Sequence, residues 1–309
     1  MEIIEMQQRQ AFGESLLKYG IENEKIVALD ADVGTTTKVS LFGDKFPERF
    51  FQAGIAEANM ISMAVGCATT GKIPVASAFS YFLATRVTDQ IRSACYAKQN
   101  IKLVGTHGGL SATVDGASHH AIADIAHMRC LPNMTVLCPG DPQETDQAVK
   151  AMLEMDGPVY LRLSRNECRT VLPEEKFTIG KAKILSEGKD ITLVTTGIMI
   201  ERSIKAADAL REKGYEVGLI HIPTIKPIDE EAIAFAAQNT SAMMTIEEHN
   251  IIGGLGSAVA EIISNEKNCK FYRAGIQDVY TRSGGYEELL SYFGLSVEAI
   301  VKSAESLVK

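Results

Sequence analysis

Residues 106–120 read THGGLSATVDGASHH, and with His127 just beyond they hold four of the chain's six histidines: His107, His119, His120 and His127. Imidazole is the side chain whose charge changes near neutral pH. Here it stands beside a carboxylate, Asp115, and several glycines. That set suits hydrogen bonding to a polar, hydroxyl-rich ligand, and proton transfer. The preceding run 101–105 is apolar and reads as a buried strand; 121–126 reads as the start of a helix. The histidines are therefore predicted on a loop at the C-terminal end of a strand, where open α/β sheets bind ligands. As metal ligands the same residues are poorly spaced: Asp115 and His119 are four apart, but on a glycine-containing loop. There is no HExxH motif and no Cys/His cluster, so no metal site is expected on this chain. His127 falls within a predicted helix and reads as structural.

Other chemistry-bearing residues carry two readings each. Glu57, in Gly54-Ile55-Ala56-Glu57-Ala58, lies at a strand-to-helix junction. It is either a first-turn glutamate favoured by the helix dipole or a sheltered carboxylate with a raised pKa that shares a proton with a ligand nitrogen. Phe79, Tyr81 and Phe82 follow a predicted strand, and either fill the core or flank a flat heteroaromatic ring. Arg162 and Arg165 close another strand, as surface residues or as ligands for phosphate or carboxylate. Gly254-x-Gly256 after a strand is a fragment of a dinucleotide fingerprint whose third glycine is replaced by Val259; a tight turn is the favoured reading.

The elements that must position these residues alternate along the chain. Strands are predicted at 26–29, 50–53, 73–78, 101–106, 135–138 and 159–163, with helices at 7–19, 57–70, 84–98, 122–130 and 142–154. The last helix has Asp141 as cap, Pro142 at its first position and Glu144 three past the cap. Periodicity fades from 164, and resumes with strands at 191–196, 217–222, 242–247 and 270–274 between helices at 200–213, 229–238 and 255–264. This is the α/β pattern of two domains, each a mostly parallel sheet flanked by helices. The expected division is 1–170, a linker with one short strand at 171–189, and 190–309. A net charge of −8 argues against a general nucleic-acid or anionic-membrane surface. No apolar run reaches membrane-spanning length, and MEIIEMQQRQ lacks the pattern of a signal peptide, so the expected location is cytoplasmic. The six cysteines form no CxxC pair and read as reduced thiols.

In order and spacing these segments resemble the C-terminal half of transketolase, over nearly the whole chain. The resemblance runs from Gln7-Gln8-Arg9-Gln10-Ala11-Phe12-Gly13-Glu14 through Asp30-Ala31-Asp32, Gly54-Ile55-Ala56-Glu57, the histidine loop and Leu163-Ser164-Arg165. It continues into Ile225-Lys226-Pro227-Ile228-Asp229 and Glu247-Glu248-His249 with the glycine turn after it. It implies thiamine diphosphate and Mg²⁺ as cofactors and transfer of a two-carbon ketol unit between sugar phosphates. By resemblance, residues 1–170 form the domain that holds the aminopyrimidine, with Glu57 hydrogen-bonding its N1′ and Phe79 and Phe82 packing on the ring. His107 and His119 match residues that contact the donor sugar, Asp115 one that reads a donor hydroxyl, and Arg165 one that binds the sugar phosphate. The family's GDG motif for diphosphate and Mg²⁺ is absent from the chain. A second polypeptide, an N-terminal subunit carrying GDG, is therefore expected, in an assembly of two copies of each chain.

The chain departs from the family at several points. Ala56 and Ala58 flank the glutamate, Gly116-Ala117-Ser118-His119-His120 replaces Gly-Pro-Thr-His-Gln, and Thr35, Thr36 and Thr37 stand near the family's phosphate-binding serine. The family's N-terminal phosphate-binding arginine is expected to fall at Gln10, one place from Arg9. Two other readings stand beside this one: the β subunit of a pyruvate-type 2-oxoacid dehydrogenase, and a non-catalytic scaffold that shapes a partner's site.

Overall fold

A computed structural model describes residues 4–264 and 269–309. In chain order its strands are β1 (Glu5–Gln7), β2 (Ile26–Asp30), β3 (Phe50–Gln52), β4 (Ile73–Phe79), β5 (Lys102–Thr106), β6 (Thr135–Leu137), β7 (Val159–Arg162), β8 (Glu167–Arg169), β9 (Lys183–Ser186), β10 (Ile191–Thr195), β11 (Val217–His221), β12 (Thr224–Lys226), β13 (Ala242–Asn250) and β14 (Lys270–Ile276). Strands β12-β6-β7-β5-β4-β2-β3 form a seven-stranded sheet, and β14-β13-β10-β11-β9 a five-stranded one. Pairing is parallel except at β12 and β9, which join as antiparallel edges. Every residue of β2, β5, β7, β10 and β11 is buried. That is why these strands read as continuous apolar runs: helices cover both faces of each sheet. Among the described residues, no helix is long and apolar enough to cross a membrane.

Three features depart from the expected elements. The predicted helix at 84–98 is two helices, Ser80–Thr85 and Thr88–Tyr96, broken at Val87. Val87 is fully buried, and the break turns Arg86 to the carboxylate of Glu57. Second, β12 comes from the second half of the sequence yet pairs with β6 of the first sheet, Thr224 opposite Leu137. A three-residue strand carries no periodicity by which to find it. Third, β1 and β8 form a separate antiparallel ribbon, Met6 opposite Cys168. Cys130 is exposed, while Cys95, Cys138 and Cys168 are buried.

The glycine turn before helix Leu255–Ile263 is occupied by the protein itself. The Glu247 carboxylate accepts hydrogen bonds from the Leu255 and Gly256 amides, both at 2.7 Å. A Cβ at Gly254 would lie 2.0 Å from Glu247 Oε2. The glycines thus let an internal carboxylate reach the helix N-terminus, where a dinucleotide fold places a phosphate. Burial pushes the Glu247 carboxyl up to about 7, against the pull of the two amides.

A buried ion pair of the first half also reaches the second. Arg162, closing β7, places Nε 2.7 Å from Asp124 Oδ2. Its Nη2 donates to the backbone oxygens of Ala121 at 3.1 Å and of Glu248, on β13, at 2.9 Å. Tyr160 also donates to Asp124 at 2.8 Å. Burial alone would raise the Asp124 carboxyl; Arg162 holds it below its ordinary value. Because removing one partner of a buried pair strands the other charge, Arg162→Met is expected to cost roughly 3–5 kcal/mol in urea unfolding. A loss under about 1 kcal/mol would show that water reaches Asp124 and that the pair carries no such weight.

Candidate active site

The candidate residues gather at the C-terminal ends of the first sheet's strands. Phe79 ends β4 and Phe82 lies in the first turn of the helix that follows, so their rings stack at 5.6 Å and 18°. Both are half-buried, with surface left to meet a ligand. His107 follows β5 and packs on Phe79 at 4.0 Å between centroids. His119 returns from the far side of the loop to contact Phe82 edge-on at 5.3 Å. Glu57, at the start of helix Glu57–Thr69, is 7% exposed. Its Oε1 lies 3.0 Å from Arg86 Nη1, and the Arg86 guanidinium covers the Phe82 ring at 3.9 Å. One continuous row results: carboxylate, guanidinium, two aromatic rings, two imidazoles.

A second basic residue, which the sequence reading set one place off, reaches this row. Gln8 donates to the Pro139 carbonyl at 2.7 Å and accepts from the Ser164 amide at 2.8 Å. With the β1–β8 ribbon beside it, this fastening brings Arg9 close enough to Arg165 for each to act on His107. Arg9 itself donates to Gln7 Oε1 and to the Thr36 carbonyl, each at 2.8 Å. Gln10, where the family arginine was expected, instead bonds Glu14 on the helix surface at 2.8 Å. Two guanidinium groups therefore stand at the His107 end of the row, an arrangement suited to a multiply charged oxyanion. The signal for Arg9 was a single register choice among Gln7-Gln8-Arg9-Gln10; the ribbon that decides it joins positions more than a hundred residues apart.

The remaining candidates separate. Arg162 is committed to Asp124 and to backbone oxygens, so the carboxylate it binds is the protein's own. Asp115 is exposed on the 3-10 turn Thr113–Ser118, and its charge acts on His120. His120 is buried, bonding Thr281 Oγ1 at 2.8 Å and the Thr113 carbonyl at 3.1 Å. Among the described residues, no group of three or more His, Cys, Asp or Glu is placed to hold a metal ion.

Electrostatics fix the state of His107. Burial, then the charges of Arg9 and Arg165 and the neighbouring His119, push it down to about 3. It is therefore neutral across the physiological range, and its Nδ1 lies 2.9 Å from Thr106 Oγ1. A neutral imidazole both donates and accepts, as is needed to bind a hydroxyl or carbonyl without adding charge. The donor set also fits an aminopyrimidine: a sheltered carboxylate for a ring nitrogen, beside an aromatic platform for the ring face.

Residues 4–170 match the transketolase pyrimidine binding domain, and residues 180–300 the transketolase C-terminal domain. The chain belongs to the transketolase family. It is 46% identical over 299 residues to a Methanocaldococcus jannaschii protein provisionally named a transketolase C-terminal section, covering 95% of this chain and 94% of that one. It is 38% identical over 303 residues to the 6-deoxy-6-sulfo-D-fructose transketolase subunit SqwH of a Clostridium species, covering 97% and 94%. A solved structure described as a split gene transketolase, inactive beta4 tetramer, superposes with a TM-score of 0.88 at 42% identity over 98% of both chains. Both transketolase domains of this chain are thus present, on parallel-dominated sheets.

The low affinity of His107 for a proton sets a pH window. As pH falls from 6.5 towards 3, the unfolded chain binds a proton at this residue that the folded chain refuses. Its contribution to stability is present above 6.5 and is lost across that interval. The His107 ring resonances are expected to stay unshifted by NMR from pH 8 to pH 5, and His107→Asn to lose less stability on acidification than the parent. A ring midpoint near 6.5 would contradict the described burial.

Proposed function

We propose that this chain is the C-terminal subunit of a thiamine-diphosphate-dependent split transketolase, transferring a two-carbon ketol unit between sugar phosphates. In this reading residues 1–170 hold the aminopyrimidine, 171–189 connect, and 190–309 form the second domain. A partner N-terminal subunit with the GDG motif supplies the diphosphate and Mg²⁺ site, in a cytoplasmic assembly of two copies of each chain. The observation that carries the reading is the order of the row: Glu57 with Arg86, Phe82 and Phe79, His119 and His107, then Arg9 and Arg165. It runs from a buried carboxylate through a flat platform and imidazoles to a pair of guanidiniums, as a ring cofactor beside a phosphorylated sugar requires. The likeness to a named C-terminal section, over almost the full length of both chains, supports the split arrangement.

Bound thiamine diphosphate would supply a thiazolium carbon as nucleophile towards the ketose. Glu57 then holds a proton at the pyrimidine N1′, its burial keeping that proton from solvent. Phe79 and Phe82 hold the ring by their faces. His107, neutral, and His119 bind the sugar's oxygens, and Asp115 reads a hydroxyl from the loop's outer turn. Arg9 and Arg165 take the terminal phosphate, and an uncharged sugar loses the charge-assisted contacts that a phosphate makes with them.

The test is reconstitution. Tagged chain is used to capture the partner from its source lysate with thiamine diphosphate and Mg²⁺, and the complex is assayed with ketose phosphates and, as a control, a sulfonate-ended ketose. Glu57→Gln is expected to assemble normally and to lose ketol transfer by on the order of 10²–10⁴-fold. His119→Ala is expected to weaken the sugar donor while sparing cofactor affinity. Undiminished turnover by the Glu57→Gln complex would overturn the catalytic reading and leave a scaffold; a lipoyl-bearing acyltransferase in the captured complex would move the reaction to 2-oxoacid decarboxylation.

A further inference from the structure

The loop that carries His107 is held from outside its own domain. Glu248, on β13 of the second sheet, is 2% exposed. Its Oε1 accepts a short hydrogen bond from the Leu110 amide, and its Oε2 accepts from the Tyr286 hydroxyl at 2.8 Å. Gly109 beside it has φ +65°, and a Cβ there would fall 2.5 Å from the Glu248 carboxyl carbon. The next residue, Ser111, accepts from the Arg165 amide at 3.2 Å and donates to the Gly108 carbonyl at 2.7 Å. His107, at the root of the same turn, has φ +60°. A non-glycine residue in that region is disfavoured by roughly 1–2 kcal/mol and persists only where its surroundings hold it. Further along, the Ile122 carbonyl accepts from the Asn250 amide at 2.8 Å.

From this geometry we infer that Glu248 is a positioning residue: its carboxylate clamps the Gly109–Leu110 turn and thereby sets His107 and Arg165 in place for the donor sugar. Glu248 lies on the far domain and touches neither residue, so it acts through the backbone of the turn. The clamp on the loop stands on the contacts alone; its effect on a sugar rests on the proposed ketol transfer. The second domain then templates the substrate loop of the first, beyond packing against it.

The experiment compares Glu248→Ala, Glu248→Gln and Tyr286→Phe in the reconstituted complex. Glu248→Ala is expected to raise the donor KM on the order of tenfold, with a smaller change in kcat and thiamine diphosphate affinity by calorimetry unchanged. Amides 108–122 are expected to exchange hydrogen faster, while helix Glu57–Thr69 does not. Glu248→Gln, which keeps an oxygen for the Leu110 amide, is expected to return KM to near the parent value. Tyr286→Phe removes one of the two bonds and is expected to shift loop exchange and KM the same way by less; it carries the test if the alanine variant does not fold. Unchanged donor KM and unchanged loop exchange in a folded variant would overturn the proposal, as would equal losses of sugar and cofactor affinity. If the parent complex transfers no ketol unit, the functional reading fails, and the exchange data alone decide whether Glu248 holds the loop.

Discussion

The Arg162–Asp124 ion pair joins what must stay joined for any site to form. One end closes β7, the other opens the helix after the histidine loop, and the guanidinium's remaining donors reach the backbone of Ala121 and of Glu248. Strand, loop and second domain therefore meet on one planar group with fixed donor directions. Neither charge is exposed, so the pair's worth is geometric more than energetic: desolvation offsets much of the attraction, while a wrong arrangement leaves a charge unmet. His249 lies in the same buried neighbourhood, where burial pushes it down to about 4. The centre of the molecule tolerates one charge arrangement, and the histidine loop is built on it.

Around that centre the site is assembled from long-range convergence. Parallel pairing of β4, β5 and β7 brings their C-terminal ends to one edge, so that residues 79, 107 and 165 become neighbours. The β1–β8 ribbon adds Arg9 from the other end of the sequence. The break at Val87 then frees Arg86 to lie between the Phe82 ring and the Glu57 carboxylate. The same economy explains the glycine turn at 253–256. A phosphate-binding shape exists there, but Glu247 fills it, so a motif that resembles a nucleotide site serves as internal packing.

The parts legible beforehand are those with local causes. The buried strands announced themselves as apolar runs, and helix Pro142–Glu154 by its cap: Asp141 accepts from the Glu144 amide as its position implied. Glu57 showed its place at a helix start, and the aromatics theirs after a strand. The parts that were not legible lack local signatures. β12 is too short for a pattern and belongs to the other domain's sheet. Arg162 and Arg165 look alike in sequence; burial beside Asp124 separates them. Asp115 and His119 looked equivalent on one loop, yet Asp115 faces out while His119 meets Phe82.

By itself the sequence determined the alternation of elements, the side chains available for proton transfer and anion binding, and the resemblance that orders them. Those follow from periodicity and residue chemistry, which act within a few positions of the chain. Only the tertiary structure decided which arginine is consumed by Asp124, that Arg9 comes within electrostatic reach of Arg165 and His107, and that a carboxylate of the second domain holds the loop of the first. Burial and charge pairing decide such matters. Both depend on which groups meet across well over a hundred residues, as Leu110 meets Glu248 (|i−j| = 138) and His120 meets Thr281 (|i−j| = 161), where local sequence patterns carry no information.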